Sequence, residues 1–179
     1  MPKVTPGQEA PELSVETIGG QRWTLSERDP ERFTMVVFYR GLHCPVCRKY
    51  IGELDGLVGN FAERGVDVIA VSGDDEDRVE QSWEGWELEN VEIGFGLSEE
   101  EMAAWDLFVS SGLLDDEPER FGEPGLFLMD AENVVYYAAV NSMPFGRPSL
   151  TEMLDAVDFV IEKDFSARGT VELASSASG

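Results

Sequence analysis

Residues 34–50 read TMVVFYRGLHCPVCRKY, and they contain both cysteines of the chain, Cys44 and Cys47, and its one histidine, His43. The first seven residues are β-branched and aromatic, short, and nearly continuous in apolarity, as a strand buried on both faces must be. From Pro45 to about Glu63, Val46, Tyr50, Leu54, Leu57, Val58 and Phe61 recur at three- and four-residue spacing, and Gly65 follows as a stop. The stretch therefore reads as central strand, short loop and amphipathic helix. It puts HCPVC at the C-terminal end of the strand, where open α/β sheets carry their chemistry.

The same alternation continues outward. VDVIAVSG (66–73) is a second buried strand, and the acids that open DDEDRVEQSWEGW suit a helix N-terminus, so a βαβ crossover and a parallel strand pair are expected. VEIGF gives a short strand, and Ser98 with Glu101 has capping-box spacing ahead of EMAAWDLF. GLFLMD and VVYYAAV, joined through the turn-prone DAEN, read as an antiparallel hairpin. A last helix begins near Ser149, with Leu150, Met153, Leu154, Val157, Val160 and Ile161 as its apolar stripe. No repeat or linker divides the chain, so a single domain is expected over residues 1–169, with a disordered tail at 170–179.

Thirty-six acids against 13 bases give a formal net charge of -23. That charge opposes binding to nucleic acid and to anionic membrane surfaces. The acids are spread along the chain and only three lysines are present, a pattern expected of a surface adapted to high salt. The N-terminus has no basic, then apolar, leader, and no apolar run approaches the roughly 20 residues of a membrane span. A soluble, cytoplasmic protein is the expectation, and in a reducing cytosol two cysteines serve redox chemistry more readily than a permanent staple.

A C-x-x-C pair can be half of a zinc site, a packing element or a redox centre. Zinc needs about four protein ligands in a structural site, and no second pair is present, so no metal and no cofactor are expected. Inert cysteines buried in a capped helix are the plainer alternative. Pro45 suits the first helical position, which makes Cys44 the N-cap, facing the free N–H groups of Val46 and Cys47. Those groups, the helix dipole and the nearby bases Arg40, Arg48 and Lys49 favour a Cys44 thiolate. Cys47, one turn on, can attack a mixed disulfide on Cys44. His43 is either a proton donor or acceptor beside the thiols or a solvated loop residue.

KVTPGQEAPELSVETIGGQRWTLSE (3–27), FYRGLHCPVC, VIAVSGDD and PGLFLMDAENVVYYA, with MPFGRPSLTEMLDAVDFVIEKDFSARG (143–169), resemble the AhpC/TSA branch of the peroxiredoxins, and within it the peroxiredoxin-like, or redoxin-domain, proteins. The resemblance implies an α/β thioredoxin-like fold: a central mixed β-sheet flanked by helices, with an N-terminal peroxiredoxin-type β-hairpin. It also implies a thiol-disulfide oxidoreductase with antioxidant activity, a hydroperoxide or disulfide substrate, a thioredoxin-like or glutaredoxin-like reductant, and it admits a homodimer. A thioredoxin-dependent hydroperoxide reductase or a non-enzymatic redox sensor are the alternatives.

The resemblance fits two registers. In the peroxiredoxin register Cys47 is the peroxide-attacking cysteine and Cys44 replaces its Thr or Ser; in the thioredoxin register Cys44 attacks and Cys47 resolves. Peroxiredoxins place an arginine where this chain has Pro124, which implies slow oxidation by peroxide unless Arg40 or Arg147 supplies the charge. Thioredoxins place a cis-proline there, which implies a cis Glu123–Pro124 bond.

Overall fold

The computed structural model describes residues 4–174. The opening stretch forms β3 (Phe33–Phe38) and α1 (Pro45–Glu63), after a hairpin of β1 (Ser14–Thr17) and β2 (Arg22–Thr24) and a 3-10 turn at Leu25–Glu27. All six residues of β3 are buried, because side chains leave both of its faces into apolar layers. Phe33, Met35 and Val37 pack with Ile51, Leu54 and Phe61 of α1, and Val36 and Phe38 pack with Leu13, Trp23 and Trp105 on the other face.

From α1 the chain crosses into β4 (Val66–Val71), which pairs with β3 in parallel from Phe33↔Val66 to Phe38↔Val71. Gly65 makes the turn at φ +73°, where a Cβ would lie 2.9 Å from Cβ of Glu31. After β4 come α2 (Glu76–Gly85), β5 (Glu92–Phe95) and α3 (Glu99–Ala104), then β6 (Val109–Ser111), β7 (Arg120–Gly122), β8 (Gly125–Asp130), β9 (Val135–Val140) and α4 (Leu150–Lys163). The main sheet has the order β2-β1-β5-β4-β3-β8-β9, with β3, β4 and β5 parallel and the remaining pairs antiparallel. The expected mixed sheet flanked by helices, with its N-terminal hairpin, is therefore present.

Three features differ from the sequence reading. The helix after the Ser98–Glu101 capping box stops at Ala104, because Trp105 caps it, buries its ring, and is followed by Asp106 at φ 54°. The hairpin β6–β7 was not expected at all; its strands have three residues each, too few to show a period. The Glu123–Pro124 bond is trans, as is every described peptide bond. Glu123 donates its N–H to Phe108 O at 2.7 Å and Asn141 donates to Pro124 O at 2.9 Å, so the chain runs extended from β7 into the β8–β9 ladder. A trans X-Pro bond is the ordinary state of such an extended segment.

Of the expected tail, residues 175–179 lie outside the described residues. Near its start Thr170 lies over Gly7, where a Cβ would be 3.0 Å from the Thr170 methyl. Among the described residues no helix is long and apolar enough to cross a membrane.

Candidate active site

The N-terminus of α1 is built around Cys44, which caps it with extended backbone (φ -104°, ψ 104°) and accepts the Cys47 N–H on its sulfur at 3.1 Å. Pro45 takes the first turn, where the missing N–H costs nothing. Both thiols are free and both are buried, at 1% and 0% exposure. The side-chain hydrogen bond from Cys47, opposed by burial and aided by the Cys47 backbone N–H and the nearby Arg40 guanidinium, brings the Cys44 thiol down to about 6. Burial, and then the hydrogen bond given to Cys44, push Cys47 up. The pair thus holds one proton and one negative charge near neutral pH: a Cys44 thiolate and a Cys47 thiol.

Arg147 reaches the sulfur of Cys47 from the loop before α4. Its Nη2 donates to Cys47 Sγ at 2.7 Å, and its guanidinium carbon lies 4.7 Å from the centre of the Tyr50 ring. Tyr50 Oη donates to Pro148 O at 2.7 Å, and Asn141 Nδ2 donates to Gly146 O at 2.9 Å, so both ends of the loop are tied down. The Nε and Nη1 atoms of Arg147 are buried with no hydrogen-bond partner. A fixed cation with two unused donors therefore lies against the sulfur of Cys47.

Arg40 and the loop it leads into are held by three acids, of which Asp74 and Glu123 are buried. Arg40 Nε lies 3.2 Å from Glu123 Oε2 and Nη2 lies 3.6 Å from Glu117 Oε1, while its guanidinium carbon is 4.7 Å from the Phe121 ring centre. Glu123 is itself held by Ser110 Oγ, which donates to Oε1 at 2.7 Å. The hairpin β6–β7 thereby fixes the arginine behind Cys44. Asp74, also buried, accepts from Leu42 N at 2.8 Å and from Arg78 Nε at 2.9 Å.

His43 lies against Phe121, with ring centres 4.6 Å apart, and both of its ring nitrogens are buried without a partner. Burial first, and the positive charge of Arg40 second, push its imidazole below the usual value, so it is neutral at pH 7. No hydrogen bond joins it to either thiol. Pro124 and Arg147 together line a small cavity with Tyr50 and Asn141. The structure thus brings Cys44, Cys47, Arg40 and Arg147 together, with Pro45 in the first turn and His43 and Pro124 at the margins. Asp74, Glu117, Glu123 and Tyr50 were not found from sequence. Among the described residues no cluster of three or more His, Cys, Asp or Glu is arranged to hold a metal ion.

Residues 6–138 match the AhpC/TSA family. Alkyl hydroperoxide reductase C of Helicobacter pylori is 28% identical over 173 residues, covering 94% of this chain and 83% of that one. A peroxiredoxin-like protein from Aquifex aeolicus superimposes with a TM-score of 0.73 at 21% identity, over 89% of this chain and 90% of that one. AhpC of Mycobacterium bovis gives 0.72 at 20% identity, over 99% of both chains. At these identities the two structures speak for the fold.

Proposed function

This chain belongs to the AhpC/TSA family of peroxiredoxin-like oxidoreductases, and from that premise we propose a thiol peroxidase whose Cys44 and Cys47 are oxidised by a hydroperoxide to an intramolecular disulfide. The observation that carries this reading is Arg147 Nη2 against Cys47 Sγ, next to a Cys44 thiol brought down to about 6. An arginine is thus supplied from the loop before α4, although Pro124 stands at the position where the family resemblance would put one.

The steps balance as follows. The Cys44 thiolate attacks the terminal oxygen of the hydroperoxide; an S–O bond forms, the O–O bond breaks, and the alkoxide leaves. Cys47 gives its proton to that alkoxide and becomes a thiolate, which the Arg147 guanidinium stabilises. The Cys47 thiolate then attacks the Cys44 sulfur, forming the S–S bond and expelling hydroxide, which takes a proton from solvent. Two electrons have passed from the thiols to the peroxide. A dithiol reductant of the thioredoxin or glutaredoxin type, in a cytoplasmic setting, returns them by thiol-disulfide exchange.

The burial of both sulfurs favours a small oxidant over a protein disulfide, because exchange with a protein needs access to the attacking sulfur. Peroxide consumption coupled to NADPH, thioredoxin reductase and thioredoxin tests the reading, beside reduction of insulin disulfides by the same protein. Turnover of peroxide with little insulin reduction is expected. Insulin reduction without peroxide turnover would replace the peroxidase by a disulfide reductase, and one-time oxidation without turnover would replace the enzyme by a sensor.

A further inference from the structure

Arg40 is one cation among three anions. Its guanidinium faces Glu123 and Glu117, and it stands near enough to Cys44 to favour the thiolate there. The two carboxylates differ in what else they hold. Glu117 belongs to the loop between β6 and β7, and its Oε2 already accepts the N–H groups of Leu113 and Leu114 at 2.7 and 3.2 Å. Glu123 is buried at the step from β7 to β8, with Oε1 taken by Ser110 Oγ. Its Oε2 and Arg40 Nε, 3.2 Å apart, are both buried without a hydrogen-bond partner, so charge alone joins them.

The other titratable groups around this pair are already matched or neutral. Asp74, after β4, holds Arg78 of α2, and Arg147 holds Cys47 from the loop before α4. His43 is neutral against Phe121, and Tyr39, next to Arg40, keeps its proton because burial pushes it up. Glu123 is thus the buried acid that answers the charge of Arg40, and no step of the peroxide chemistry given above uses it. A buried carboxylate is costly without a counter-charge, so Glu123 and the Cys44 thiolate compete for the same cation.

We propose that Glu123 is a positioning residue that acts through Arg40: its buried carboxylate takes up part of the guanidinium's charge, leaves less of it for Cys44, and so keeps the reduced Cys44 and Cys47 pair a stronger electron donor. The inference rests on the redox pairing of the two cysteines in the thiol peroxidase reading and names the residue that tunes it. On oxidation the Cys44 thiolate and the Cys47 thiol give up two electrons and one proton and form the S–S bond, so one negative charge leaves the neighbourhood of Arg40. A site that stabilises the thiolate favours the reduced form and becomes a stronger oxidant. Glu123 acts in the opposite direction.

The test brings the wild-type protein, Glu123→Gln and Glu123→Asp to equilibrium with mixtures of reduced and oxidised dithiothreitol at pH 7, and follows the thiolate of each by absorbance near 240 nm. Glu123→Gln keeps the shape and an acceptor for Ser110 but drops the charge. Its disulfide is expected to be reduced about tenfold more readily, which is about 30 mV for a two-electron couple, and its thiolate step to come about one pH unit lower, since both readouts see the same charge. Glu123→Asp keeps the charge but draws it back by one methylene, and should move both equilibria the same way by about twofold; it carries the test if Glu123→Gln does not fold. Readouts unmoved in both variants overturn the inference. So does a thiolate step displaced upward, which would mean that Glu123 holds Arg40 to the sulfur instead of drawing its charge away. Neither readout uses peroxide: a protein that forms no disulfide at any dithiothreitol ratio would overturn the redox pairing, and the thiolate step would still decide on Glu123.

Discussion

A Cβ added to Gly41 would lie 2.6 Å from Oδ2 and 2.8 Å from Oδ1 of Asp74, so the loop that delivers Cys44 runs directly over a buried carboxylate. Gly41 also has φ +132°, a backbone conformation that residues with a side chain rarely adopt. Asp74 cannot retreat without giving up Leu42 N and Arg78 Nε, and its side chain is 1% exposed.

Gly41→Ala is therefore expected to destabilise the protein by about 2–4 kcal/mol, from backbone strain and overpacking together. At roughly 2–4 °C per kcal/mol for a chain of this size, thermal unfolding should come about 5–15 °C earlier. Asp74→Ala removes the clash but keeps the unfavourable φ, so the double variant should lose less than the sum of the singles. Strict additivity in that cycle would show that the close approach plays no part.

The charge of the cysteine pair can be followed by thiolate absorbance near 240 nm. Because the Cys44 thiol is brought down to about 6 and Cys47 is pushed up, one thiolate should appear as pH rises through about 6, with no second step before the protein approaches alkaline unfolding. The lowered acid is deprotonated above its folded value and protonated below it, so the peroxide rate should fall about tenfold per pH unit below 6. Cys44→Ser should abolish the step. A step near 6 that survives in Cys44→Ser would assign the thiolate to Cys47 and the attacking role with it.

How much of this was readable beforehand follows the range of the interactions. The strand Phe33–Phe38 and helix Pro45–Glu63 were visible because burial on two faces and on one face imprints different periods on the sequence itself. Cys44 as N-cap was visible because Pro45 marks the first turn locally. Arg147 lies 100 residues from Cys47, and its contact depends on how α4 docks beside α1, so the sequence offered it only as one of two arginines able to replace a missing one. Asp74 and Glu123 had no local mark at all, since a buried acid differs from an exposed one only through its partners. The cis-proline expectation failed for a related reason: a proline before a strand fits several folds, and the backbone around Pro124 pairs in an extended trans form.

The acidic surface makes a prediction independent of the site. With a net charge of -23, mutual repulsion acts across the whole molecule when the screening length is about 8–10 Å and becomes local when it is about 3 Å at 1 M. Thermal stability should rise by several degrees between about 0.1 M and 2 M KCl. Equal melting temperatures across that range would remove salt adaptation as the reason for the acid excess.

The last prediction concerns Arg147 and separates its charge from its shape. A positioned donor at a developing oxyanion is worth roughly 10²–10³ in rate, and Arg147 offers Nη2 to Cys47 Sγ with Nε and Nη1 still unused. On the proposed thiol peroxidase mechanism, those two N–H groups would hold the peroxide while its O–O bond breaks, and Nη2 the charge left on Cys47. Arg147→Ala should therefore slow oxidation by hydrogen peroxide about 10²–10³-fold in stopped-flow tryptophan fluorescence. Arg147→Lys keeps a charge but not the planar fork of donors, and should recover only part of the loss. Exchange with a small disulfide depends on the Cys44 thiolate and on access to it, so it should lose far less in either variant. The decisive quantity is the ratio of the two rates: equal losses toward peroxide and disulfide would mean that Arg147 holds the loop in place and takes no part in breaking the O–O bond.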